Sequence, residues 1–224
     1  METIFVFKVS IVLLSAENQL FSGLQMKDKI IAKATDMFLR LGFKSITMDD
    51  IAGEMCISKK TIYKYFINKE VLIAETTETM HKSIYQIIED IIARDFNAIE
   101  ENFEIKKMFK GIFQFAETSP LYQLKKHYPE IYHKVMSQEF EECNRYMKHN
   151  IQKGIDQGLF RADIDIDMYS KFHYILTFSI NENTKSEKEA QRLEHAAMEY
   201  HMRAMATEKG IVELEKQLLI NPNI

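Results

Sequence analysis

The chain has 224 residues, 46% hydrophobic and 28% charged, with net charge −4. That is an ordinary globular composition with apolar content for a core, and its length suits one or two domains. Seven Gly and three Pro are few, and because both residues interrupt helices, their scarcity favours long helices over a many-turned sheet.

Two cysteines, Cys56 and Cys143, lack CxxC spacing, which reads as reduced thiols in a cytoplasmic protein and excludes a disulfide framework. Of the seven scattered histidines, His195 and His201 are as close as any pair. Their six-residue gap puts them on opposite sides of a helix, so neither a metal site nor a cofactor is expected. Charge is uneven. Residues 26–72 hold nine Lys/Arg against six Asp/Glu, whereas residues 73–224 hold 19 against 25. A basic segment on an acidic body fits a protein that meets phosphates with one part only.

Residues 1–25 form a separate N-terminal question. The apolar run Ile4–Leu14, interrupted by Lys8, is about half the roughly 20 residues a membrane-spanning helix needs, and no membrane partner is expected. Glu2 and the absence of a basic start make a poor signal peptide. Two readings stay open, a genuine extension or sequence upstream of a true initiator at Met26, since Met26-Lys27-Asp28-Lys29 leads into a clean helical pattern. Mass spectrometry of the native N-terminus separates them.

From Met26, Ile30, Ala34, Met37, Phe38 and Leu41 recur at helical spacing and mark the buried stripe of a first helix. Gly42 stands where its C-cap belongs. Thr47 before Asp49-Asp50 is an N-cap with acid near the positive end of the next helix, which runs about Met48–Met55 with Ile51, Ala52 and Met55 inward. Ser58 caps a third helix. Ile62 and Phe66 face inward from it, and Lys59, Lys60, Thr61, Tyr63 and Lys64 face out. Asn68 caps a fourth helix that opens with Lys69 and Glu70. Cations and amides at helix N-termini suit phosphate oxygens, and Thr and Tyr hydroxyls add hydrogen bonds.

The stretch Lys29–Leu72 resembles the DNA-binding domain of TetR-family transcriptional regulators. The resemblance is carried by Thr47, Ile51, Ala52, Ile57, Ser58, Thr61, Ile62, Tyr63, Tyr65, Phe66, Lys69, Glu70 and Leu72. It implies that Thr47, Tyr63, Tyr65 and Lys69 grip phosphates. It places Lys59, Lys60, Thr61 and Lys64 where the family reads base edges or nearby backbone, and Ser58, the cap, completes the expected DNA-binding set. Cys56 departs from the pattern by occupying a turn position usually held by Gly. If the position is left-handed, its side chain costs about 1 kcal/mol.

The helical pattern continues from Lys69 to Arg94, a rod of about 39 Å at 1.5 Å per residue that leads from the basic segment into the body. Further helices are expected at Phe103–Thr118, broken by Ser119-Pro120, and at Glu130–Gln157, ended by Gly158. The Glu130–Gln157 helix carries Ile131, Val135, Phe140, Cys143, Met147, Ile151 and Ile155 on one side. The last helices fall at about 167–180, 189–206 and 209–219. Nine Phe and eight Tyr in residues 73–224 are compatible with a cavity for an apolar or aromatic ligand and equally with a filled core.

The expectation is an all-α protein with two domains, residues 26–72 as the helix-turn-helix head and residues 73–224 as an effector-binding and dimerisation domain. By resemblance it is a repressor that binds double-stranded palindromic operator DNA, pairs as a homodimer through its last two long helices, and answers to a small-molecule effector. No convergent acid–base or nucleophilic set is present, and Cys143 has no placed partner, so no enzyme is expected. The competing reading is a helical protein-interaction module that has lost ligand response or DNA binding.

Overall fold

The computed structural model describes residues 25–222, so the expectation placed on the N-terminal extension lies outside the described residues except for Gln25, which precedes the first helix. Ten α-helices and two isolated β-bridges make up the regular structure of the described residues. The protein is all-α, as expected.

The head contains α1 (Met26–Leu41), α2 (Met48–Glu54) and α3 (Lys59–Tyr65), followed by the long α4 (Lys69–Ile92). Three of its caps match the expected ones. Thr47 accepts from the Asp50 amide and Asp50 accepts from the Thr47 amide, a reciprocal capping box. Ser58 accepts from the Thr61 amide and Asn68 from the Val71 amide. Ile30, Ala34, Phe38, Ile51, Ile62 and Phe66 are at most 1% exposed and form the centre of the head. Burying an Ile or Phe this fully contributes about 1.5–3 kcal/mol each. One stripe residue is misplaced in the expectation: Leu41 is exposed, because α1 ends there and the chain turns away at Gly42 (φ +89), while Ile31 and Leu39 are buried instead.

The body contains α5 (Ala98–Phe113), α6 (Pro120–His127), α7 (Pro129–Asp156), α8 (Ile166–Asn183), α9 (Glu187–Met205) and α10 (Glu208–Ile220). Two expectations need correction. The helix expected from Phe103 begins five residues earlier, at a capping box formed by Asn97 and Glu100. Pro120 does not merely end a helix. Ser119 caps a new one and Pro120 fills its first turn, where a missing N–H costs nothing.

α7 ends at Gly158 (φ +69), with the Leu159 amide donating to the Gly154 carbonyl (2.8 Å) and the Gly158 amide to Ile155 (2.9 Å). This is a Schellman closure. It folds Phe160 back onto α7, where a Cβ at position 154 would stand 2.0 Å from the Phe160 ring, so Gly154 makes room for that ring. Between α5 and α7, the fully buried Glu101 accepts from Tyr146, Asn150 and Lys153. A buried carboxylate needs such partners.

α8 packs on α7 and α9, yet Ser170 is the one residue of α8 classed as buried. Met168, Phe172 and Ile175 stand 49%, 47% and 60% exposed along it. Phe140 on α7, expected inward, is also exposed and meets Tyr174 of α8 edge-on.

Candidate nucleic-acid interface and internal cavity

The turn between α2 and α3 sets the position of α3. The Ile57 amide donates to Ala52 and the Cys56 amide to Gly53, both at 3.0 Å. Cys56 has φ +53 and is the one non-glycine residue with positive φ among the described residues. The turn is therefore a Schellman closure like that of α7, with an exposed cysteine where α7 uses glycine.

The structure separates the nine expected contact residues by what already holds them. Lys60, Tyr63 and Lys64 share the exposed side of α3, opposite the buried Ile62. Lys59 is exposed but ion-paired with Asp49 of α2, which raises its pKa through that hydrogen bond. The hydroxyls of Ser58 and Thr61 lie 2.8 Å apart. Thr47 is held in the capping box, and the bond from Thr47 lowers the Asp50 pKa. Tyr65 is half-buried against the head core, with the Lys64 ammonium 5.7 Å from its ring centroid.

Lys69 differs from the other eight. It is half-buried, donates to the Lys44 carbonyl at 3.2 Å and lies 5.9 Å from the centre of the Tyr128 ring. Burial holds its pKa below the usual lysine value.

That last contact belongs to a junction between head and body. Leu124 of α6 and Tyr132 of α7 are part of the head's own hydrophobic cluster. The buried Gln123 of α6 accepts from the Phe43 amide at 2.8 Å and donates to the Thr118 carbonyl at 3.3 Å. A Cβ at position 42 would stand 2.9 Å from the Gln123 carbonyl oxygen, so both this approach and the positive φ require glycine there. The stretch before α6 is tied in turn to the stretch before α9. Glu187 donates its amide to the Glu117 carbonyl (3.1 Å), and Ser119 donates to Lys185 (2.9 Å).

Behind the junction, helices α4 to α9 line a cavity of about 210 Å³ with mainly apolar and aromatic walls, including Ile84, Phe109, Phe113 and Phe178. Polar groups gather in two places. At one, Glu139 of α7 accepts from Tyr85 (2.8 Å) and lies 2.8 Å from His81 Nδ1, both on α4. The bond to Glu139 raises the His81 pKa against the opposing effect of burial. Cys143 lies nearby, its thiol pushed up to about 12 by burial and then by Glu139, so it is an inert wall residue.

At the other, Lys106 of α5 pairs with Glu194 of α9, which also accepts from Asn181. Glu187, the first residue of α9, lies there 3% exposed. One of its oxygens accepts from Gln191 at 2.9 Å, and the other has no hydrogen-bond partner. Burial raises its pKa to about 7, with Glu194 adding to the rise while Gln191 and Lys106 oppose it. None of these cavity residues was singled out by sequence as a ligand contact. They come from six helices, and no local pattern joins them. Among the described residues no cluster of three or more His, Cys, Asp or Glu could hold a metal ion, and no helix is long and apolar enough to cross a membrane.

A helix-turn-helix head with an exposed basic and phenolic face, joined to a helical body with an internal cavity, is the arrangement of a DNA-binding regulator. Residues 30–76 match the family model described as bacterial regulatory proteins, tetR family. The head, residues 30–76, is thus a TetR-family domain.

Among similar proteins, the biofilm operon icaADBC HTH-type negative transcriptional regulator IcaR of Staphylococcus epidermidis is 27% identical over 128 residues, 57% of this chain and 62% of that protein. The IcaR of Staphylococcus aureus strain Newman is 30% identical over 90 residues, 40% of this chain and 45% of its own length. The chain thus covers less than two thirds of either relative. A crystal structure of a transcriptional regulator from Cytophaga hutchinsonii shares the fold with a TM-score of 0.66 at 16% identity, covering 80% of this chain and 98% of that one.

Proposed function

We propose that this regulator is a cytoplasmic repressor that binds a palindromic operator as a homodimer and is released by a small apolar or aromatic effector held in the cavity. The observation that carries the reading is the exposed Lys60–Tyr63–Lys64 face on a short helix whose N-terminus is capped by Ser58. Such a face supplies phosphate contacts and base-edge donors at once.

Thr47, Ser58, Lys59, Thr61, Tyr65 and Lys69 complete the proposed contact set. Lys59 would exchange Asp49 for phosphate, and Lys69 would act from the edge of the junction. Residues 26–72 act as the reader and residues 73–224 as the sensor and dimerisation unit. The exposed apolar stripe Met168–Phe172–Ile175 on α8 supports pairing through this helix and its neighbour α9. Two heads reading successive major grooves require half-sites about 34–36 Å apart. The effector acts only if it binds the DNA-incompetent arrangement more tightly.

The test is fluorescence anisotropy with the gene's own upstream region and with random duplex, across salt concentrations. Tyr63→Ala weakens operator binding. Lys60→Ala weakens operator and random duplex alike and reduces the salt slope by about 1, as one lost phosphate contact should. A wild-type chain that binds neither duplex at low salt instead supports the protein-interaction reading.

A further inference from the structure

The walls of the cavity hold an acid with half of its hydrogen-bonding capacity unused. Glu187 is 3% exposed, Gln191 occupies one of its oxygens, and the other is partnerless. Lys106, a cation near it, is already taken by Glu194, which Asn181 also serves. Buried polar atoms in folded proteins are overwhelmingly paired, so an orphaned acceptor lining a cavity points to something that enters the cavity.

We infer that the effector of this chain is a protonated primary or secondary amine on a small aromatic or aliphatic body, its ammonium donating to the open Glu187 oxygen and its body lying among the apolar walls. The inference rests on the cavity being the effector site. The body it admits is small. An apolar cavity of roughly 150 Å³ takes up benzene, so about 210 Å³ has room for a ring and a short arm.

The charge arrangement favours a cation over an anion. An anionic group here would face Glu187 and Glu194 together, and Lys106 is committed to Glu194. A neutral hydroxyl could donate to Glu187 but would leave its charge uncompensated. Binding by an amine fixes Glu187 as the carboxylate, and since the empty site holds that group near pH 7, binding expels a proton from the protonated fraction. The amine's affinity therefore rises with pH through neutrality and levels off above it. The other charged or titratable groups lining this region are Glu194 on the same helix, Lys106 and Lys110 on α5, and His173 on α8, with the His81–Glu139 pair among the more distant cavity-lining groups.

Three probes of similar shape separate the possibilities: 2-phenylethylamine, 2-phenylethanol and 3-phenylpropionate, each titrated calorimetrically into the full chain. The expected result at pH 8 is binding of the amine about tenfold tighter than either analogue, in the range of a charge-assisted hydrogen bond. Glu187→Gln removes that preference, with its melting curve checked for folding. In the wild-type chain, amine affinity rises about tenfold from pH 6 to pH 8, as expected for a carboxyl that titrates near 7, and this arm needs no variant. Tighter binding of the alcohol or acid, a flat pH dependence, or an unchanged preference in a folded Glu187→Gln chain overturns the amine assignment but leaves the cavity as an effector site. If none of the three probes binds, the amine assignment and the effector reading of the cavity both fall.

Discussion

Cys56 and Gly158 occupy the same position in two copies of one motif, each following the C-terminal residue of a helix with positive φ and each closing the same pair of backbone hydrogen bonds. The left-handed region costs an L-residue roughly 1–2 kcal/mol, while glycine gives part of that back as extra freedom in the unfolded chain. Cys56 is exposed, so its removal forfeits no buried contact. Cys56→Gly is expected to stabilise the chain by about 0.5–1 kcal/mol in urea unfolding, and Gly158→Ala to destabilise it by a similar amount. A lowered midpoint for Cys56→Gly would mean that strain is not what distinguishes the position. The departure from the family pattern was legible in the sequence as an identity, and the structure supplies the backbone angle that gives it a cost.

At the scale of elements, helices announced by caps were readable, and so was α7 from its long apolar stripe, but the short helix opened by Pro120 was not. Thr47 with Asp50, Ser58 and Asn68 placed the starts of α2, α3 and α4. The Asn97–Glu100 box carries the same signal, but the apolar run from Phe103 outweighed it, and α5 was placed five residues late. Pro120 read as a stop because proline breaks a helix interior, whereas at the first turn it starts one.

α6 matters to the head because it carries Gln123, whose side-chain oxygen holds the Phe43 amide. Gln123→Leu leaves that buried amide unpaired, at a cost of about 1–3 kcal/mol. The expected outcome is faster hydrogen exchange at Phe43 and a lower melting temperature. Unchanged exchange would show that the amide has another acceptor. Lys69 belongs to the same junction, so Lys69→Ala mixes a phosphate effect with a structural one. Lys60 is the cleaner probe of the DNA-facing surface.

For the whole molecule, the all-helical class followed from the scarcity of Gly and Pro and the helical spacing along the chain, and the family resemblance from some 45 residues of head, but the cavity did not. Aromatic composition fits a cavity and a filled core equally, and only the packing of α4 to α9 against one another distinguishes them. The apolar stripe on α8 is likewise visible as exposed area only once α7 and α9 are in place around it. If α8 and α9 meet their copies in a dimer, Ile175→Glu puts paired charges into a dry interface, where each costs far more than in water. Sedimentation of that variant should show monomer at concentrations where the wild-type chain is dimeric, with operator affinity falling in parallel. A dimer that survives the substitution would move the interface elsewhere.

The link between the stretches before α6 and α9 gives the cavity a second mechanical connection to the head. From Glu187, the backbone bond reaches Glu117, the next residue is Thr118, and its carbonyl holds the Gln123 side-chain amide, whose oxygen holds Phe43 in the loop that leads to α2, the first helix of the helix-turn-helix. α4, one 24-residue helix from the head to the cavity wall, is suited to carry tilt. This relay passes through two loops and one side chain, and it can slacken without any helix moving as a body. If the cavity is the effector site, a regulator built this way has two separately tunable outputs, the angle at which the head is presented and the firmness with which it is held.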